Sequence, residues 1–355
     1  MEAIHLTSFL PASEPFTSLR PTALPIPTPK PDETLIRVTH VSIQQVDLLY
    51  ARGLHQNNHP KRGHVHPPFT LGLDFAGIVL STPSSRSSAP PSPSTTPDPS
   101  FPPGTRVLGS HPSSFATHLC LPASSLHPIP PSLSSRDAAA LVSGVVSHTA
   151  VRLAAVSPRQ TVLVTGVPGT LGLTAAQSAL STGATVFVLA RDPLRANAVR
   201  GVLDARISVL SSQGEDWKKT LEVATGGRGV DVVIDNVGLV QDALSVLRFG
   251  GTVVLVGFAG RGGEMERVQM NRVLLKGAKV VGYRFGEGAR RGMFDVGECW
   301  RGYLGEVERG EVKAVVDGRR YRGLGEVGRA MEDLQRGALV GKAVVEVGGE
   351  EIARL

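Results

Sequence analysis

TVLVTGVPGTLGLTAAQSALSTGATVFVLARDPLR, residues Thr161–Arg195, is the stretch whose reading decides the fold. It opens on Thr161–Thr165, a short apolar run rich in β-branched residues, which suits a buried strand. Gly166, Gly169 and Gly172 follow at three-residue spacing. An apolar-periodic segment, Leu171–Thr182, then reads as a helix, and Gly183 stands where a helix would end. Thr185–Ala190 is a second buried strand. Strand, glycine turn, helix and strand make a βαβ unit. Its helix N-terminus, with unbonded amides and the positive end of the dipole, favours the pyrophosphate of a dinucleotide. The spacing is G-x-x-G-x-x-G rather than G-x-G-x-x-G, so the placement between strand and helix carries the reading, not the glycines alone. Three turn and packing glycines in an unrelated α/β protein are the plainer alternative.

Working outward, 355 residues are too many for one ordinary core and fit two domains. Forty glycines and a 41% apolar fraction suit a turn-rich α/β enzyme. The formal charge is +6. Residues 1–134 hold 8 basic and 7 acidic side chains, so the excess lies later, scattered among glycines and apolar residues. Without a compact basic run interleaved with aromatics, nucleic acid is not an expected partner. The two cysteines, Cys120 and Cys299, are far apart, which fits a reducing compartment and leaves no disulfide framework or four-cysteine metal site. The N-terminus has neither the basic start nor the apolar run of a signal peptide, and no stretch approaches the ~20 apolar residues of a membrane span. These features predict a soluble, cytoplasmic protein.

The first 80 residues read as β-rich, with strands at Thr34–Ser42 and Leu71–Leu80 around a short helix over Gln44–Gly53. His55, His59, His64 and His66 crowd the loop between them. With no Cys, Asp or Glu among them, and Pro60, Gly63 and Pro67 breaking any helix, a mobile loop is a better reading than a metal site. From Ser81 to Pro103, 19 of 23 residues are Ser, Pro or Thr, the composition of a disordered surface insertion. Gly104–Ser110 and Phe115–Pro122 resume strand character. Ser134–Ala155 reads as helix broken near Gly144. Beyond the glycine unit, strands at Gly229–Gly238, Gly251–Gly257 and Ala278–Tyr283 alternate with helices at Leu239–Arg248 and Met270–Lys276, which predicts a doubly wound parallel sheet. A helix at Met293–Arg309, a strand at Val312–Val316, a helix at Leu324–Arg336 and a strand at Lys342–Val347 complete the reading.

VSIQQVDLLYARG, PPFTLGLDFAGIV, PPGTRV, SFATHLCLPA, AALVSGVVSHTAV, VLVTGVPGTLGL, DVVIDNVG, GGTVVLVGF and LQRGALVGKAVVEV, in this order, resemble the medium-chain dehydrogenase/reductase superfamily. Within it the chain is most similar to the zinc-free quinone oxidoreductase and enoyl reductase branch. The resemblance implies an α/β architecture of two parts. A GroES-like β-rich catalytic domain spans 1–134, carries the insertion at 81–103 and takes up the chain again over 304–355. A Rossmann cofactor domain occupies 135–303. The active site is expected between them, and relatives are often homodimers. No catalytic zinc is implied, since Ser42–Asp47, where the first metal-binding Cys would stand, holds none. Gln44 replaces an Asn common in the branch but keeps an amide on a longer arm. Leu180 replaces a frequent Lys linked with cofactor binding or protonation, which leaves the proton route without an obvious acid.

The expected activity is transfer of a hydride from NADPH to a quinone, or to the C=C bond of an α,β-unsaturated carbonyl compound, with no metal. Gly166, Gly169, Thr170, Leu171 and Gly172 are expected around the pyrophosphate. Arg191 and Arg195 lie near the adenosine ribose, where a strand ending in Ala190 lacks the acidic residue typical of NAD sites. Asp192 could meet the ribose instead if that strand ran longer, and Arg191 could simply face solvent. Asn236, Val237, Gly238, Gly257 and Phe258 are expected to face the nicotinamide, and Gln44, Tyr50 and Ser147 the substrate. For Tyr50, as for His148, a buried structural role is the plainer reading. The rival functions are a trans-acting enoyl reductase of a polyketide pathway and a non-catalytic NADPH-binding regulatory or structural protein.

Overall fold

Each strand of the organising stretch is apolar at nearly every position, as a strand covered by helices on both faces must be. Thr161–Val167 and Thr185–Ala190 pair in parallel, with Val162 opposite Val186 and Val164 opposite Val188. The helix between them runs Thr170–Ser181. The computed structural model describes residues 1–61, 63–82, 101–214, 216–258 and 266–348. By their internal contacts these divide into two units, Ser143–Val315 and Met1–Val142 together with the chain from Val316.

The Ser143–Val315 unit holds a six-stranded, all-parallel sheet. Its spatial order is Ser208–Ser211, Thr185–Ala190, Thr161–Val167, Val230–Asp235, Leu247–Leu255 and Lys279–Gly282. In order along the chain this is 3-2-1-4-5-6, the doubly wound order. Its direction of winding reverses between the first and fourth strands, and ligands of such sheets bind beyond the strand ends at that reversal. Gly166 at the end of the first strand and Asn236 just after the fourth are therefore neighbours by topology, though 70 residues apart in sequence.

In the other unit, Glu33–Ser42 is the central strand of a seven-stranded sheet, flanked by Asp74–Ser81, His118–Pro122 and the late strand Val344–Glu346. Val345 pairs with Val41, so the C-terminal part of the chain completes a sheet begun near the N-terminus. Phe16, Ile36, Phe75, Phe115, Leu121, Tyr321 and Met331 pack its core.

Several local expectations change. The segment Val312–Val316 is no strand: the Lys313 amide donates to Gln177 Oε1, and only Val316 makes a bridge, to Lys342. A side chain takes the place of a ladder partner there. The Leu239–Arg248 helix stops at Val246, and Leu247 starts the next strand. Helices at Pro193–Arg200 and Trp217–Ala224, not read from the pattern, start on the carboxylate caps Asp192 and Asp216. Both described ends of the insertion read as 81–103 carry residues that belong to the body. Ser81 still belongs to a strand, and Phe101 is only 8% exposed in the core, while residues 83–100 lie outside the described residues. Among the described residues no helix is long and apolar enough to cross a membrane.

Candidate cofactor and active site

Two glycines of the turn, Gly169 and Gly172, crowd one atom, the carbonyl oxygen of Gly166. A Cβ on Gly169 or on Gly172 would lie 2.8 Å from it. Gly166 itself has φ +85°, and a Cβ there would meet Asn236 Cβ at 2.9 Å. Three-residue spacing thus brings the helix onto the strand end with no side chain between, which the bare motif could not show. Gly169 caps the helix in extended conformation, and the Leu173 amide makes the bond to its carbonyl. Helix geometry leaves the amides of Thr170, Leu171 and Gly172 without partners inside the helix, where they and the dipole form an anion cradle.

The fourth strand ends on a residue the sequence reading passed over. Asp235 is fully buried, and its carboxylate collects four donors. The Thr165 hydroxyl (2.7 Å) and the amides of Val237 and Gly238 (both 3.1 Å) donate to Oδ1, and the Leu239 amide donates to Oδ2 at 2.7 Å. Burial raises this carboxyl above the ordinary range, and the four donors pull it back. The result is a fixed loop over Asn236, Val237 and Gly238. Asn236 donates through Nδ2 to the Thr165 carbonyl at 2.9 Å. Its Oδ1 is buried and accepts no hydrogen bond among the described residues. Gly257 and Phe258 close the same corner: a Cβ on Gly238 would be 3.2 Å from Phe258 Cα, and one on Gly257 2.7 Å from the Asn236 carbonyl. The signal for Asp235 was present, an acidic residue ending an apolar strand, but its donors come from a neighbouring strand and the following loop.

The second strand ends at Ala190, as read from the sequence. Asp192 caps the next helix, accepting from the Arg195 amide at 2.9 Å and from the Arg195 guanidinium. These bonds hold its carboxyl below the usual range. Arg191 is exposed, with Nε 3.7 Å from Asp192 Oδ2. The two arginines therefore differ: Arg195 is hydrogen-bonded to the cap, and Arg191 is an exposed, looser partner of the same carboxylate.

Gln44 and Tyr50 sit in the other unit, on the helix Gln45–Arg52 and its cap. The Gln44 amide donates to Asp47 Oδ2 at 2.7 Å, which fixes the turn that presents Gln44. Burial pushes the Asp47 carboxyl up to about 8, against the pull of that amide; nearby Asp74 adds to the rise and Lys342 opposes it. Lys342 Nζ lies 3.4 Å from Asp74 Oδ2, both groups buried. Tyr50 stacks on His55 with ring centres 4.3 Å apart, and its hydroxyl accepts from Asn57 at 2.8 Å. The histidine loop is thus held by hydrogen bonds: the Asn57 carbonyl takes the amides of His64 and Val65.

Ser147, expected to face substrate, is 1% exposed and donates to the Leu171 carbonyl at 2.8 Å. Its hydroxyl ties one helix to the first turn of the next and is not presented to a ligand. His148 is buried beside Glu306 (Nδ1 to Oε1, 3.0 Å), in keeping with a structural role. Leu180 packs at the edge of the parallel-sheet core. Among the described residues, no three His, Cys, Asp or Glu side chains group as a metal site.

Residues 30–131 match the model of the alcohol dehydrogenase GroES-like domain, and residues 170–298 that of the zinc-binding dehydrogenase family. Quinone oxidoreductase-like protein 2 of Bos taurus is 31% identical over 275 residues, covering 75% of this chain and 73% of that protein. This chain belongs to the medium-chain dehydrogenase/reductase superfamily, on its zinc-free quinone oxidoreductase branch. Two solved structures share this fold. A mycobacterial protein complexed with NADPH has TM-score 0.79 and 24% identity, with 98% of this chain and 99% of that one covered. The CurK enoyl reductase has TM-score 0.80 and 20% identity, with coverage of 98% and 99%. The GroES-like and Rossmann-like parts of a medium-chain oxidoreductase are therefore both present.

Proposed function

We propose that the protein is an NADPH-dependent, zinc-independent reductase of quinones or of the C=C bond of α,β-unsaturated carbonyl compounds. The observation that carries it is the loop Asn236–Gly238, fixed by Asp235 at the winding reversal beside a glycine turn that leaves no room for side chains. A dinucleotide fits these residues. Gly169 and Gly172 let the helix N-terminus close on the strand end, where a Cβ would collide with the Gly166 carbonyl, and the buried Asn236 Oδ1 is an acceptor that a carboxamide donor could use. Bound NADPH would supply the hydride.

The remaining work falls to the chain. The amides of Thr170, Leu171 and Gly172 bind pyrophosphate, and the Ser147 hydroxyl keeps that turn in place through the Leu171 carbonyl. Arg191 meets the 2′-phosphate, while Asp192 is engaged as a helix cap by Arg195. Gln44, held by Asp47, offers its side-chain amide to the substrate oxygen on which negative charge grows. With Leu180 packed against the core, the final proton comes from solvent.

The decisive assay follows NADPH absorbance with a panel of quinones and enones. Saturable oxidation with either class supports the reading. Tight NADPH binding with no turnover on any of them would leave a non-catalytic binding protein. One zinc per chain, removed together with activity by a chelator, would overturn zinc independence. The shared fold with an enoyl reductase favours a second reading, a trans-acting enoyl reductase; it requires turnover of an enoyl thioester on a carrier protein well above that of the free thioester.

We further propose a cytoplasmic homodimer. The helix Met270–Lys276, which leads into the outermost strand of its sheet, exposes Met270, Leu274 and Leu275, an apolar face suited to a second copy. A monomer mass in sedimentation at micromolar concentration would refute it.

A further inference from the structure

A separate cavity of about 310 Å³ opens at the edge of the GroES-like sheet, lined by Arg136, Arg320, Arg322, His40, Tyr321 and Glu346 among others. The strand register builds one wall. His40 lies directly opposite Glu346, and Arg322 directly opposite Glu346 on its other side, so the three form a row across three strands. Arg136 comes from the helix Ser135–Leu141, far away in sequence. Its guanidinium is half-buried and anchored by a 2.8 Å bond to the Asp317 carbonyl. Burial and the nearby charge of Arg320 both press on it, a sign that positive charge is concentrated here.

The nearby carboxylates balance this only in part. Asp317 is engaged by the Val340 amide and the Arg319 guanidinium, both at 2.9 Å, and Asp137 by the Ser134 hydroxyl at 2.7 Å. Glu346 sits 3.7 Å from Arg322. Three guanidinium groups and one carboxylate, Glu346, line the recess; the charges of Asp137 and Asp317 also reach Arg136, and Asp317 is shared with Arg319. The walls are fixed: the Tyr321 hydroxyl donates to Asp333 at 2.8 Å, and Arg329 covers the Tyr321 ring and donates to the Arg320 carbonyl at 2.8 Å.

We propose that this recess is an anion site that takes a phosphoryl group, free or at the end of a small ester. Guanidinium forks suit phosphate oxygens, and donors arriving from a helix and from a distant sheet edge suit a tetrahedral anion better than a flat carboxylate. The volume is at the low end for ligand cavities, which fits inorganic phosphate or a small phosphate ester rather than a dinucleotide. The site is formed wholly by residues of the GroES-like unit, so it does not rest on the proposed cofactor reading.

Calorimetric titration of the full chain with inorganic phosphate and with glycerol 3-phosphate tests it. Phosphate held at the glycine turn does not depend on Arg136 or Arg320, so differences between variants report this recess. Expected is a saturable component weakened tenfold or more by Arg320→Gln and by Arg136→Gln, and weakened again by raised salt. Arg320 is exposed, so its variant should fold even if loss of the Arg136 anchor does not. Glu346→Gln should tighten binding severalfold. Equal affinity for the two ligands indicates free phosphate, and clear preference for glycerol 3-phosphate indicates an ester. Binding that is absent, or unchanged in Arg320→Gln and Glu346→Gln, overturns the proposal.

Discussion

Replacing Asp235 by Asn changes almost no volume and asks whether charge holds the loop at the strand ends. In the native site one carboxylate oxygen accepts from Thr165 and from two amides, and the other accepts from the Leu239 amide. An Asn can place its carbonyl on the three-donor side, but its NH₂ then faces the Leu239 N–H, donor against donor. That loses one charge-assisted bond, worth about 1.5–3 kcal/mol, and leaves a buried amide unpaired. The three remaining bonds weaken from charged to neutral, by about half a kcal/mol each on the same scale. Relief from burying an anion returns part of this, so the net cost is on the order of 3 kcal/mol. Because the donors are local, the loss should show in hydrogen exchange at Val237, Gly238 and Leu239. Opening there should quicken by about a hundredfold at 1.4 kcal/mol per decade, with cofactor affinity falling alongside it. Amides of the GroES-like sheet should be unchanged. Exchange within threefold of wild type would show the carboxyl to be neutral in the native protein, and the account of a charge-fixed loop would fail.

Arg191→Ala should remove a preference for NADPH over NADH of ten- to a hundredfold, measured by titrating both cofactors; an unchanged ratio refutes the role given to Arg191. Asp47 binds a proton up to about pH 8 in the folded protein, whereas a carboxyl in the unfolded chain releases it near 4. Its stabilising contribution is therefore full below pH 4 and lost as pH rises to 8. Relative to Asp47→Asn, wild type should lose up to about 1.4 kcal/mol per pH unit across that window, and parallel stability curves would contradict this. Phe101→Ala should cost about 3 kcal/mol, because its ring is buried in the GroES-like core. Exchanging residues 84–100 for a short Gly/Ser turn should shift the melting temperature by no more than a few degrees. A larger effect of the exchange than of Phe101→Ala would reverse that assignment.

The sequence by itself determined the features that depend on near neighbours. Thr161–Val167, Thr170–Ser181 and Thr185–Ala190 form because β-branched runs, a glycine turn and an apolar-periodic segment act over a few residues. The break in the helix pair near Gly144 and the Ser134 cap were legible for the same reason. So was the alternation of strand and helix that implies a parallel doubly wound sheet. Tertiary structure decided what depends on residues far apart in the chain. Asp235 is a hub only because Thr165 is brought beside it by strand pairing. Arg191 and Arg195 look alike in sequence, yet Arg195 hydrogen-bonds the Asp192 cap while Arg191, 3.7 Å from the same carboxylate, stays exposed. Ser147 carries a hydroxyl suited to a site, but helix packing turns it to the Leu171 carbonyl. Phe101 lies in a Ser/Pro-rich run, and only the fold shows that it belongs to the core. The arginines of the sheet-edge recess come from segments near 136 and 320, and no local pattern could have joined them. Propensity and periodicity act over one turn or one strand, whereas burial and hydrogen-bond partners at these positions are set by segments that meet only once the sheets have formed.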